Sequence, residues 1–120
     1  MLDYTNAYSC LSIDDVRKAK NFYGGDLGLE VAEKDNGIVV YFKGGQTVFM
    51  YTDVEHKPAA YAVLNFVVED FDKAVKALEG RGVIVSDVNP NPGTTFPGGN
   101  GQKVGWFNDY SGNIISLVQS

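Results

Sequence analysis

From Ala7 to Ile13 the side chains alternate with a period of two. Ser9, Leu11 and Ile13 share one face of an extended segment, and Tyr8, Cys10 and Ser12 share the other. At Asp14-Asp15 the period lengthens: either aspartate can cap a helix whose apolar positions are Val16, Ala19, Phe22 and Tyr23, with Gly24-Gly25 as its expected stop. Leu29 to Glu33 reads as a strand. Asp35-Asn36-Gly37 carries the signature of a tight hairpin into Ile38 to Phe42, and Gly44-Gly45 turns the chain into Gln46 to Tyr51. The polar stretch Thr52 to Tyr61, interrupted by Pro58, reads as a connection. A strand Ala62 to Val68 follows, then a helix from Asp70 to Glu79 that buries Phe71, Ala74, Val75 and Leu78 and stops at Gly80. Val83-Ile84-Val85 is a further strand. Residues 89–101 are too rich in Gly, Pro and Asn for one and read either as a lid or as a surface hairpin tip. Lys103 to Asn108 and Asn113 to Val118 close the chain as a hairpin.

The order strand, helix, strands is thus written twice. Leu11-Ser12-Ile13-Asp14-Asp15-Val16-Arg17-Lys18-Ala19 returns 55 residues later as Phe66-Val67-Val68-Glu69-Asp70-Phe71-Asp72-Lys73-Ala74. In each copy an apolar strand meets an acidic pair, and Lys-Ala follows at the same offset. The expected fold class is therefore α+β, built from two β-α-β-β-β modules at about residues 5–52 and 61–120 of one domain, 1–120. A pocket is expected where two like modules face each other.

Composition narrows the function classes. Apolar residues at 44% and charged residues at 21% are ordinary for a globular protein. No apolar run reaches the roughly 20 residues that span a bilayer, and the first residues lack a signal peptide's basic start, so a cytoplasmic location is expected. A net charge of -5 argues against nucleic acid and anionic membranes as partners and suits neutral or cationic ligands. Cys10, the single cysteine, has no disulfide partner within the chain. His56, the single histidine, falls in the polar connection and reads as a solvated residue.

Asp15-x6-Phe22-Tyr23, Leu27-Gly28-Leu29, and the ending Trp106-Phe107-x-Asp109-x-x-Gly112-Asn113-Ile114-Ile115-x-Leu117 resemble the vicinal oxygen chelate superfamily, which includes glyoxalases, bleomycin-resistance proteins and dioxygenases. The resemblance covers nearly the whole chain. It implies a curved, mostly antiparallel sheet around a cavity, a homodimer and, in the metal-using members, a divalent ion in the cavity. The family's usual ligand positions can be checked one by one. Counting seven residues back from each helix-capping aspartate gives Tyr8 and Val63 where histidines are common. Counting four on from Gly112 gives Ser116 where a glutamate is common, and the last strand of the first module offers Phe49. A phenol, a valine, a serine and a phenylalanine do not make a divalent metal site, so no metal and no other cofactor is expected.

Those positions still compose a face. Alternation places Tyr8, Cys10, Ser12, Thr47, Phe49, Tyr51, Val63, Asn65, Val67, Ile114 and Ser116 on one side of the sheet. Leu11, Ile13, Val48, Met50, Leu64, Phe66, Ile115 and Leu117 fall on the helix-packed side. An apolar surface with a few hydroxyls and an amide suits a small molecule. The expected ligand-binding residues are Tyr8, Phe49, Tyr51, Val63, Asn65, Phe96, Trp106 and Ser116, Phe96 entering from the Gly-rich loop. Asp109 reads as a turn former. The expected function is a binding protein of the bleomycin-resistance type for an aromatic or cationic small molecule. The alternative is a metal-independent or atypical-metal lyase, isomerase or dioxygenase-like enzyme, with no catalytic residue assigned.

Overall fold

In the computed structural model, residues 1–93 and 102–120 are described. The expected lid or hairpin tip thus falls largely outside the described residues, and Phe96 with it. The chain divides into two compact units, Met1–Lys57 and Pro58–Ser120.

In the first unit β1 (Ser9–Ile13) leads into α1 (Val16–Ala19), and β2 (Glu30–Lys34), β3 (Gly37–Tyr41) and β4 (Thr47–Thr52) complete a sheet of order β1-β4-β3-β2. The β1–β4 pair is parallel and the others antiparallel. Asp15 caps α1, its carboxylate accepting the Lys18 N–H at 3.0 Å. Beyond Ala19 the helix widens into a π-helical turn, Lys20–Asp26. Gly24-Gly25 lie inside this turn and do not stop it. The stop is Gly28, in the left-handed region at φ 70°, after the Leu27 N–H has bonded back to the Phe22 carbonyl. Widening lets the consecutive Phe22 and Tyr23 both reach the core, fully buried and edge to face at 5.0 Å. They join Ile13, Ile38, Val40, Val48 and Met50. The hairpin is also displaced by one residue from the Asn-Gly expectation. Lys34 pairs with Gly37, so the two turn residues are Asp35 and Asn36, both at positive φ (45° and 58°).

In the second unit β5 (Ala62–Val68), α2 (Phe71–Glu79), β6 (Val104–Asn108) and β7 (Ile114–Gln119) form a sheet of order β5-β7-β6 with α2 against β7. Asp70 caps α2 through the Lys73 N–H at 3.1 Å, repeating the Asp15 bond. The strand expected at Val83-Ile84-Val85 is absent among the described residues. The segment touches β6 at one antiparallel bridge, Ser86 to Trp106, with two hydrogen bonds of 2.8 Å. The reason is local: a Cβ on Gly105 would stand 2.5 Å from Val85 Cγ1, so Val85 packs into the gap over that glycine instead of lying alongside the strand. The rest is an α+β fold with two sheets and short helices.

The duplication extends to the pairing. In each unit the opening strand runs parallel to the closing one, and its last carbonyl accepts an N–H from just past that strand: Ile13 from Asp53 at 3.1 Å, Val68 from Ser120 at 2.8 Å.

Candidate ligand site

Strand register sets out the first unit's open face in rows. Cys10 pairs with Phe49, Phe49 with Val39, and Val39 with Ala32, which gives an apolar middle row. On one side of it Thr47 pairs with Tyr41, and Tyr8 precedes the Ser9 that pairs with Val48. On the other side Ser12 pairs with Tyr51, Tyr51 with Gly37, and Gly37 with Lys34. Helices cover the opposite face. This one is open: Tyr8 is 64%, Tyr41 41% and Tyr51 39% exposed. A Cβ on Gly37 would stand 3.0 Å from Phe49 Cε1 and 2.2 Å from the Met50 carbonyl oxygen. The glycine thus leaves room both for the strand contact and for the Phe49 ring, whose centroid lies 6.3 Å from that of Tyr51.

A concavity of about 340 Å3 opens on this face, lined by Asn6, Tyr8, Lys34, Asp35, Val39, Tyr41, Thr47 and Phe49. Its volume lies at the small end of the range for small-molecule sites. Val39 and Phe49 supply apolar area in the middle. The polar side chains around them, Asn6, Tyr8, Lys34, Asp35, Tyr41 and Thr47, make no hydrogen bond or ion pair among the described residues. Five of the six are exposed to water, and such donors and acceptors around an apolar centre can turn to a partly aromatic ligand.

Of the residues expected from sequence, Tyr8 and Phe49 line this concavity, and Tyr51 shares its face. Asn65, Trp106 and Ser116 meet in the second unit. Asn65 and Trp106 are the register partners of Ser116 on either side, and the buried Ser116 hydroxyl donates to the Asn65 side-chain oxygen. Cys10-Phe49-Val39 and Asn65-Ser116-Trp106 are therefore corresponding triples of the two modules, apolar in one and hydrogen-bonded in the other. Val63 departs from simple alternation. The register shifts between Ala62 and Leu64, so Val63 is the extra residue of an irregular step in β5.

Asn6, Lys34, Asp35, Val39 and Tyr41 were not foreseen as lining residues. The parity of β3 pairs Val39 and Tyr41 with each other but does not say which face they share with β1; that needs the register. His56 is also placed differently from expectation. It is half-buried, with Nδ1 2.5 Å from Ser12 Oγ. Asp109 is the turn former it was read as: its buried carboxylate accepts from the Ser111 and Asn113 N–H groups, both at 2.9 Å, and from Asn113 Nδ2 at 3.0 Å.

The residues do not fit the divalent ion of the metal-using relatives. Among the described residues no three His, Cys, Asp or Glu side chains converge, and the four family ligand positions hold Tyr8, Phe49, Val63 and Ser116.

The sequence model of the Glyoxalase/Bleomycin resistance protein/Dioxygenase superfamily matches residues 2–117. No curated protein matches. Solved structures share the fold across their full length. TnmS3, an antibiotic binding protein from Streptomyces sp. CB03234, is 22% identical with a TM-score of 0.68, covering 98% of both chains. The glyoxalase family protein from Enterococcus faecalis is 20% identical with a TM-score of 0.71, covering 96% of this chain and 97% of its own. A superfamily member from Sphaerobacter thermophilus DSM 20745 is 25% identical with a TM-score of 0.66, covering 97% and 98%.

Proposed function

We propose that this chain, which belongs to the Glyoxalase/Bleomycin resistance protein/Dioxygenase superfamily, is a small-molecule-binding protein that holds a partly aromatic ligand on the open face of its first sheet without a metal ion. The observation that carries this reading is the concavity over Val39 and Phe49, ringed by polar side chains that have no partner among the described residues. Most of these groups are exposed and bond to water, which a ligand seated over Val39 and Phe49 would displace. The antibiotic-binding activity in the name of TnmS3 supports the same class of function. The family's tendency to dimerise and the open aromatic face support a homodimer, which light scattering would report at about twice 13.1 kDa.

The test is a titration of 15N-labelled protein with neutral aromatic probes such as 4-hydroxybenzyl alcohol. Saturable shifts should cluster at the amides of Val39, Tyr41, Thr47 and Phe49. They should vanish in Phe49→Glu while the rest of the spectrum stays dispersed. Shifts scattered without saturation, or unchanged in Phe49→Glu, would overturn the reading.

A further inference from the structure

We infer that the ligand of this concavity is an aryl carboxylate whose anionic group is held by Lys34; the inference rests on the ligand-site reading above. Lys34 ends β2 with the same parity as Ala32, whose partner Val39 lines the concavity, so the pleat directs Lys34 onto the open face. Its neighbour Glu33 has the opposite parity and pairs with Lys20 at 3.6 Å. Lys34 has no ion-pair partner among the described residues. The adjacent carboxylate, Asp35, has a conformational reason to be there, since it occupies the first position of a two-residue turn at φ 45°, where Asp and Asn are favoured. No such backbone demand explains the lysine.

The rows then order the ligand. Each lies about 6.8 Å from the next, two strand residues on. A ring seated on the middle row, over Val39 and Phe49, has the Tyr8, Thr47 and Tyr41 hydroxyls on one side and the Lys34 ammonium on the other. A ring bearing a carboxylate at one end and a hydrogen-bonding group at the other matches that sequence of charge, apolar surface and hydroxyls. The sign is opposite to what the net charge of -5 favours. At physiological ionic strength, however, distant acidic residues are screened beyond about 8 Å, which leaves Lys34 and the turn carboxylate Asp35 as the near charges.

Three probes of one shape separate the possibilities: 4-hydroxybenzoate, 4-hydroxybenzyl alcohol and 4-hydroxybenzylamine, each titrated into 15N-labelled protein. The benzoate should bind at least about threefold more tightly than the alcohol, the gain of one exposed ion pair, and the amine no more tightly than the alcohol. Lys34→Ala should remove the benzoate's advantage over the alcohol, and Lys34→Arg should restore it. Raising the salt should shrink the advantage in the wild type and in Lys34→Arg. If all three probes bind alike, or the amine binds best, the carboxylate assignment is overturned while the aromatic site stands. If none shifts the Val39, Thr47 or Phe49 amides, both readings fall.

Discussion

Replacing Asp109 with alanine removes an acceptor that the turn between β6 and β7 uses three times. Its carboxylate takes the Ser111 and Asn113 N–H groups and the Asn113 amide, with Asp109 only 6% and Asn113 3% exposed. A hydrogen bond to a charged group contributes about 1.5 to 3 kcal/mol, and a buried donor left unpaired costs about 1 to 3 kcal/mol. The three bonds are not additive, and Ser111 is partly exposed, so its N–H recovers a bond to water. The two Asn113 donors do not, and the expected loss is about 3 kcal/mol. With an unfolding entropy near 0.25 kcal/mol per kelvin for a chain of 120 residues, that is about 12 °C in Tm. Asp109→Asn keeps one oxygen for the two N–H groups and sets its own amide against that of Asn113, so about 1 kcal/mol is expected. Urea melts of the three proteins, followed by far-UV and near-UV signals to confirm one transition, give the comparison. An alanine variant within 1 kcal/mol of wild type, or an asparagine variant weaker than the alanine, would refute the assignment of Asp109 as the buried anchor of this turn.

Asp15→Ala and Asp70→Ala should each cost about 1 kcal/mol, because each removes one cap bond to the N–H three residues on; the urea midpoint of each variant measures it. Gly37→Ala should be severe, above about 3 kcal/mol or insoluble on expression, since its Cβ would stand 2.2 Å from the Met50 carbonyl oxygen and push β3 from β4. Elemental analysis after dialysis against a weak chelator should find well under one divalent ion per chain; a stoichiometric zinc, nickel, manganese or iron would show that the donor set at Tyr8, Phe49, Val63 and Ser116 has been misjudged.

What the sequence carried best was local. The repeated Asp-x-x-Lys-Ala predicted two capped helices because a cap bond spans three residues and depends on nothing distant. Alternation sorted Ile13, Val48, Met50, Ile115 and Leu117 into the core because one side of each sheet is covered. The Gly24-Gly25 stop failed because packing both Phe22 and Tyr23 inward outweighs two glycines' weak helix propensity. Val83-Ile84-Val85 has strand-like residues but, among the described residues, only one bridge to β6. The ligand face needed register: Lys34 and Tyr41 join Tyr8 only because β1, β4, β3 and β2 stand in that order, which no local pattern contains. The Ser12–His56 contact, across 44 residues, is hidden in the same way.

The corresponding triples show how one duplicated frame arrives at two unlike faces. Where the Ser116 hydroxyl already donates to Asn65 beside Trp106, a ligand would have to compete with a half-buried hydrogen bond before gaining one. Where Cys10, Phe49 and Val39 take the same places, there is no bond to break, and the Tyr8, Tyr41 and Thr47 hydroxyls and Lys34 have no partner among the described residues. Equal backbone pairing therefore leaves the second module's serine already bonded and the first module's apolar triple open to a guest. The difference lies in side chains that strand propensity scarcely constrains. The first sheet is accordingly the place to look for binding.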